Sequence, residues 1–200
     1  MNLWSKLGLP MRWMIALLFA VFVTSPCLCQ NPGGEAADRP GMLATKQGPL
    51  AIDAPKGWSR VPGMGMAFFV PNGADFDTAP AWIYISSVPI GPKLDYRDVN
   101  SYIEHDVSVF KDKYPAAMVQ RESPVMLPQA KLRAQIYTFQ SGDKNNAYEQ
   151  VVYVGEKGRV LMFNLSAKTA GVFQQSLPVF RGFVTSYRGG ADTAPVTRKP

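Results

Sequence analysis

Between Pro49 and Tyr187 the apolar residues follow two different periods, and the changes from one to the other mark the elements. The first stretch is extended. Leu50-Ala-Ile-Asp53, the piece entered by Trp58 after the Pro55-Lys-Gly57 turn, Met66–Val70 and Ala81–Val88 read as strands, with Pro71-Asn72-Gly73 supplying turn chemistry between the last two. Ala81–Val88 is apolar at odd and even positions alike, so both of its faces need cover. The period then lengthens. Val99, Tyr102, Ile103, Val107, Phe110 and Tyr114 recur at helical spacing, with Asp98, Ser101, His105, Ser108 and Asp112 on the opposite side. Asp98 heads this helix and Pro115 ends it, because the residue before a proline avoids helical dihedrals.

The extended period returns from Ala117 to Leu127, broken at Pro124. In Lys131–Phe139 it alternates cleanly, with Leu132, Ala134 and Ile136 inward and Lys131, Arg133 and Gln135 outward. Tyr148–Val154 and Arg159–Ser166 follow, joined by the tight Gly155-Glu-Lys-Gly158 turn, so neighbouring strands here run antiparallel. Phe173, Leu177, Phe180, Phe183, Val184 and Tyr187 form a closing helical stripe. Pro178 leaves two alternatives for it: a kinked helix, or a turn before a helix that starts near Ser176. Central strands that bury both faces need two covering layers, and two amphipathic helices supply one each. The expected fold is α+β, an α/β/α sandwich on a mainly antiparallel sheet.

The N-terminus changes the address. Lys6 and Arg12 precede the apolar run Met14–Val23, and Thr24-Ser-Pro-Cys27-Leu-Cys29 leads to Gln30. This order matches a secretory signal over residues 1–29, with cleavage between Cys29 and Gln30. The apolar run is shorter than the roughly 20 residues a membrane-spanning helix needs, so an uncleaved signal is the one route to membrane attachment. The expected location is exported, periplasmic or secreted. Residues 30–48 and 188–200 are rich in Pro, Gly, Ala and charge and have no period, so they read as disordered flanks of a domain at 49–187.

Removing the signal takes both cysteines, Lys6 and Arg12, and leaves nineteen basic against fifteen acidic residues, a net charge of +4. The body is then thiol-free and rests on burial, without disulfides. Basic and acidic residues are interleaved with no basic run, which argues against a nucleic-acid partner.

The Pro55-Lys-Gly-Trp58 turn, the short strands after it, the helix at 98–114, the long meander and the closing stripe Phe173-x3-Leu177-x2-Phe180-x2-Phe183-x3-Tyr187 together resemble the PsbP-like and DcrB-like superfamily, which also includes a Ran-binding nuclear transport factor. The resemblance spans residues 49–187. It implies a small non-catalytic module that binds or assists another protein, and it transfers no binding residue.

Individual residues offer little chemistry. His105, the one histidine, falls on the polar side of its helix, away from any nucleophile. Asp75 and Asp77 in the loop after Asn72-Gly73 are two oxygen donors, too few for a calcium site of EF-hand type. Gly63-Met-Gly-Met66 leads into a strand, so it is no phosphate loop, and its two thioethers lack a soft co-ligand. Asp95, Asp98, Glu104 and Asp106 are close in sequence but scattered around a helix. No cofactor is implied. The leading expectation is an exported, non-catalytic protein acting through protein contact. A carrier of an apolar or lipid-like molecule, with a cavity lined by Trp82, Tyr84 and Phe110, is the alternative. An enzyme built on carboxylates alone is the third.

Overall fold

The computed structural model describes residues 41–45, 48–61, 66–142 and 147–190. The expected cleavage site at Cys29 and Gln30 and the Gly63-Met-Gly segment lie outside the described residues. In chain order the strands are β1 (Met42–Leu43), β2 (Leu50–Ala51), β3 (Trp58–Arg60), β4 (Phe68–Pro71) and β5 (Ala81–Pro89). Helix α1 (Val99–Lys113) follows, then β6 (Met118–Arg121), β7 (Val125–Leu127), β8 (Leu132–Gln140), β9 (Tyr148–Glu156) and β10 (Arg159–Ala167). Helix α2 (Ala170–Thr185) and β11 (Gly189–Gly190) close the chain.

The main sheet has the order β3-β4-β5-β10-β9-β8-β6, with β7 also paired to β8, and every ladder in it is antiparallel. Strands β5, β10 and β9 interlock over their full length, as Phe163 standing opposite both Ile85 and Val152 shows. Alternate residues of a strand point to opposite faces. On β9, Val152 and Val154 join the core under α2, together with Phe163 of β10 and Phe180 and Phe183 of α2. Tyr153 points the other way and meets Tyr102 of α1, and Phe139 of β8 meets Phe110. The helices therefore cover opposite faces, and the structure is an α/β/α sandwich.

Asp98 caps α1. Its carboxylate accepts from the Ser101 N–H at 2.8 Å while the Ser101 hydroxyl accepts from the Asp98 N–H at 3.1 Å. The Ser101 N–H holds the Asp98 carboxyl below the usual carboxylate range. At α2 the Thr169 hydroxyl accepts from the Val172 N–H at 3.3 Å. Thr169→Ala is expected to cost about 1 kcal/mol, read as a lower denaturant midpoint with an unchanged slope. Helix α2 runs unbroken from Ala170 through Pro178. Pro178 itself is exposed, while Leu177 and Phe180 on either side of it are buried. Burial of that stripe outweighs the roughly 3 kcal/mol that a proline costs inside a helix.

The ordered body is longer than composition suggested at both ends. Leu43 is 2 % exposed and joins the core, and β1-β2-β11 form a small second sheet. Beyond Tyr187, Arg188 pairs with Asp53 at 3.0 Å and donates to the Gly41 carbonyl at 2.7 Å. The Gly190 N–H donates to Glu156 at 2.9 Å. Pro- and Gly-rich composition hid these segments because two-residue strands leave no period to detect. The residues expected to be disordered at 42–45 and 188–190 are structured.

Candidate functional site

The outer edge of the sheet on the β8 side carries β6 and β7 end to end, with the break at Pro124 between them. A strand at a sheet edge offers unpaired backbone groups, and soluble proteins usually blunt such edges. This edge instead shows apolar side chains. Met118 and Met126 are each 59 % exposed and Val125 is 38 % exposed.

On the α1 face of this edge lies a groove of about 400 Å³, lined by Val99, Asn100, Arg121, Pro124, Arg133, Gln135, Tyr153 and Gly155. Each element contributes for a local reason. Gly155 lets the β9 backbone come under the first turn of α1, since a Cβ there would stand 2.6 Å from a Val99 methyl. Gln135 and Arg133 are the outward positions of β8, and Arg121 pairs in register with Tyr137. The Arg121 guanidinium lies 6.0 Å from the Tyr137 ring centroid and donates to Gln135 at 3.2 Å. Gln135 in turn donates to Asn100 at 2.8 Å. This chain fixes Arg121 across the groove floor, and Arg133 stands beside it, exposed. No lining residue is acidic.

Tyr153 connects the groove to a second polar cluster deeper along α1. It is a buried residue of the groove lining, and its hydroxyl donates to Asp106 at 2.5 Å. On the same face Glu149 of β9 accepts from the Ser166 hydroxyl at 3.3 Å. Asp106 and Glu149 are both half-buried. Desolvation raises the Asp106 carboxyl, against the Tyr153 hydrogen bond and His105, which lower it. Desolvation, with the Asp106 charge nearby, pushes Glu149 up to about 7. Burial likewise raises the phenols of Tyr84, Tyr102 and Tyr153.

The residues singled out from sequence fall as follows. Trp82 and Tyr84 stand on the α1 face of β5. The Trp82 indole donates to the Phe76 carbonyl at 3.1 Å, and Tyr84 stacks on Phe68 with ring centroids 4.9 Å apart. Phe110 packs over β8 against Phe139, three strands from β5, so β10 and β9 separate it from Trp82 and Tyr84. All three share one face of the sheet but are not brought together. The Asp75 carbonyl accepts from the Thr78 and Ala79 N–H groups in a turn, and among the described residues no third His, Cys, Asp or Glu joins Asp75 and Asp77. His105 is exposed, with its ring 5.1 Å from that of Tyr96. Of the sequence-adjacent carboxylates, Asp98 caps the helix and Asp95 and Glu104 are exposed, leaving Asp106 to face the sheet.

Arg121 and Glu149 were not singled out from sequence, and Asp106 was named there only among four carboxylates scattered around a helix. The signal for Asp106 was present: it sits one turn from both Tyr102 and Phe110, inside the buried stripe. Glu149 had none, since a single acid at the start of a strand is ordinary.

No protein-family model matches the chain, and no curated protein matches it. Among solved structures it is similar to cyanobacterial PsbP (CyanoP) from Synechocystis sp. PCC 6803, at 12% identity, covering 82% of this chain and 98% of that one with a TM-score of 0.48. It is similar to the Saccharomyces cerevisiae Ran-binding protein Mog1p, at 7% identity over 73% of this chain and 93% of that one, with a TM-score of 0.47. A Pseudomonas aeruginosa protein of unknown function is similar at 13% identity over 70% of this chain and 90% of that one, with a TM-score of 0.44. PsbP and a Ran-binding protein are thus both among the structures to which the chain is similar, as the resemblance read from its sequence implied.

Proposed function

We propose that this protein is a non-catalytic binding module that works outside the cytosol by gripping an extended, acidic segment of a partner protein along the β6–β7 edge. The observation that carries this reading is the pairing of an open, apolar sheet edge with a groove that holds two arginines and no acid. An edge strand supplies main-chain hydrogen bonds to an added strand, and alternate side-chain pockets supply specificity. Exposed methionines adapt to the shapes they meet, and guanidinium groups recognise carboxylates through two parallel hydrogen bonds. Export rests on the order of residues 1–29.

Three extended peptides of equal length test the reading, alternating apolar residues with acidic, neutral or basic ones. The acidic peptide is expected to bind with a dissociation constant on the order of 100 μM at low salt and to weaken as salt is added. Arg121→Glu and Arg133→Glu are each expected to weaken it at least about tenfold while leaving the thermal midpoint within a few degrees, both side chains being exposed. Equal affinity for acidic and basic peptides, or binding that survives both charge reversals, refutes it.

A further inference from the structure

We infer that the cluster of Asp106, Glu149, Tyr84, Tyr102 and Asn164 between α1 and the sheet is a binding site for a primary alkylammonium group, separate from the edge groove and not required by it. Buried polar atoms in folded proteins are almost always paired. Tyr102 is 2 % exposed, and its hydroxyl has no hydrogen-bond partner among the described residues. Asn164 is 7 % exposed; its amide nitrogen reaches the Tyr84 and Met162 carbonyls and the Ser86 hydroxyl, while its side-chain oxygen accepts no hydrogen bond from the described residues. The Tyr84 hydroxyl likewise has no hydrogen-bond partner among the described residues. Asp106 and Glu149 each use one carboxylate oxygen, on Tyr153 and Ser166, and the other accepts no hydrogen bond from the described residues.

These groups face one another. Asp106 lies one turn from Tyr102 on α1, and the Tyr102 ring meets that of Tyr153 at 6.3 Å between centroids. Tyr84 stands opposite Asn164 in the β5–β10 ladder, and Ser166, two residues on, hydrogen-bonds Glu149. Asp106 and Glu149 are close enough for each charge to be felt by Tyr84 and Tyr153. The site's open acceptors, the Asp106, Glu149 and Asn164 oxygens together with the two phenol oxygens, thus outnumber its two open donors, the O–H groups of Tyr84 and Tyr102. An ammonium group brings three donors and the positive charge that two half-buried carboxylates need. The surrounding tyrosine rings add favourable cation–π contact. A metal ion fits poorly, because among the described residues no three His, Cys, Asp or Glu converge. Lys113, whose charge reaches Glu149, holds its own ammonium 4.9 Å from the Tyr114 ring centroid. Partial exposure of Asp106, Glu149 and Tyr84 leaves a way in.

Titration of the signal-free protein with n-butylammonium, followed by NMR shifts of the tyrosine rings, tests this. Saturable binding is expected with a dissociation constant below about 10 mM. Asp106→Asn and Glu149→Gln should each weaken it at least about tenfold, one conserving shape and removing charge at each acid. n-Butanol, which lacks the charge, and tetramethylammonium, which lacks N–H donors, should bind at least about tenfold more weakly. Putrescine binding more tightly than Nα-acetyl-lysine methylamide would assign a free diamine as the source; the reverse order would assign a lysine side chain. No saturable shift, equal binding of n-butanol, or full retention in both variants overturns the inference. Arg121→Glu should leave ammonium binding unchanged, so failure of the edge reading and failure of this one are told apart.

Discussion

Glu149→Gln is expected to flatten the dependence of folding stability on pH between 5 and 8. In the folded protein burial and the neighbouring Asp106 raise this carboxyl to about 7, against 4.5 for an ordinary glutamate. The folded state therefore holds the proton more tightly than the unfolded chain between those values. Stability must fall as pH rises through that window and level off above it, which is the reverse of an ion-paired acid. Scaled down for the partial exposure of Glu149, the loss in the unmodified protein is on the order of 2 kcal/mol. Asp106 is raised as well and pushes in the same direction. Glutamine keeps the shape and a partner for the Ser166 hydroxyl but carries no charge. The variant should match the original protein at pH 5 and exceed it at pH 8. Urea denaturation at the two pH values measures both; a parallel fall in the two proteins would show that Glu149 is not the titrating group.

Phe163→Ala is expected to be the most damaging truncation of the core. Phe163 is fully buried at the centre of β10, between β5 and β9. Its ring meets Phe183 at 5.9 Å and Tyr187 at 5.3 Å, so it ties the sheet to the last turn of α2 and to the residue after it. Truncation loses the transfer energy of the ring and leaves a cavity whose walls are held by strands and helix alike, a cost of about 3–5 kcal/mol. Tyr187 also donates to Glu156 at 2.5 Å, and Glu156 in turn anchors Gly190. Hydrogen exchange should therefore show early opening of β11 in the variant, together with a lower denaturation midpoint. A loss below about 1 kcal/mol would mean that the site collapses freely and that the packing described here is wrong.

The sequence was legible wherever a local rule acted alone. The 3.6-residue stripe from Val99 to Phe110, the cap at Asp98 and the stop at Pro115 needed no tertiary knowledge. The strand break at Pro124 and the alternation of Leu132, Ala134 and Ile136 against Arg133 and Gln135 were equally plain. Antiparallel order followed from short turns. Pro178 was not decidable in this way. Its intrinsic penalty argues for a break, and only the burial of Leu177 and Phe180 on both sides shows why the helix continues.

The site belonged mostly to the other kind of information. Arg121 and Arg133 are twelve residues apart on different strands, and Asn100 reaches their groove from a helix. Asp106 and Glu149 are forty-three positions apart. What the chain determined by itself was the inventory: which segments are strands or helices, which faces are greasy, and that both faces of the sheet need a roof. Tertiary structure decided which polar side chains share a surface, because strand register and the crossing of α1 over β9 are set by long-range packing that no local window contains. Long-range packing also decided protonation, since a carboxyl's charge depends on the water it loses, and Glu149 loses water only once α1 lies across the sheet.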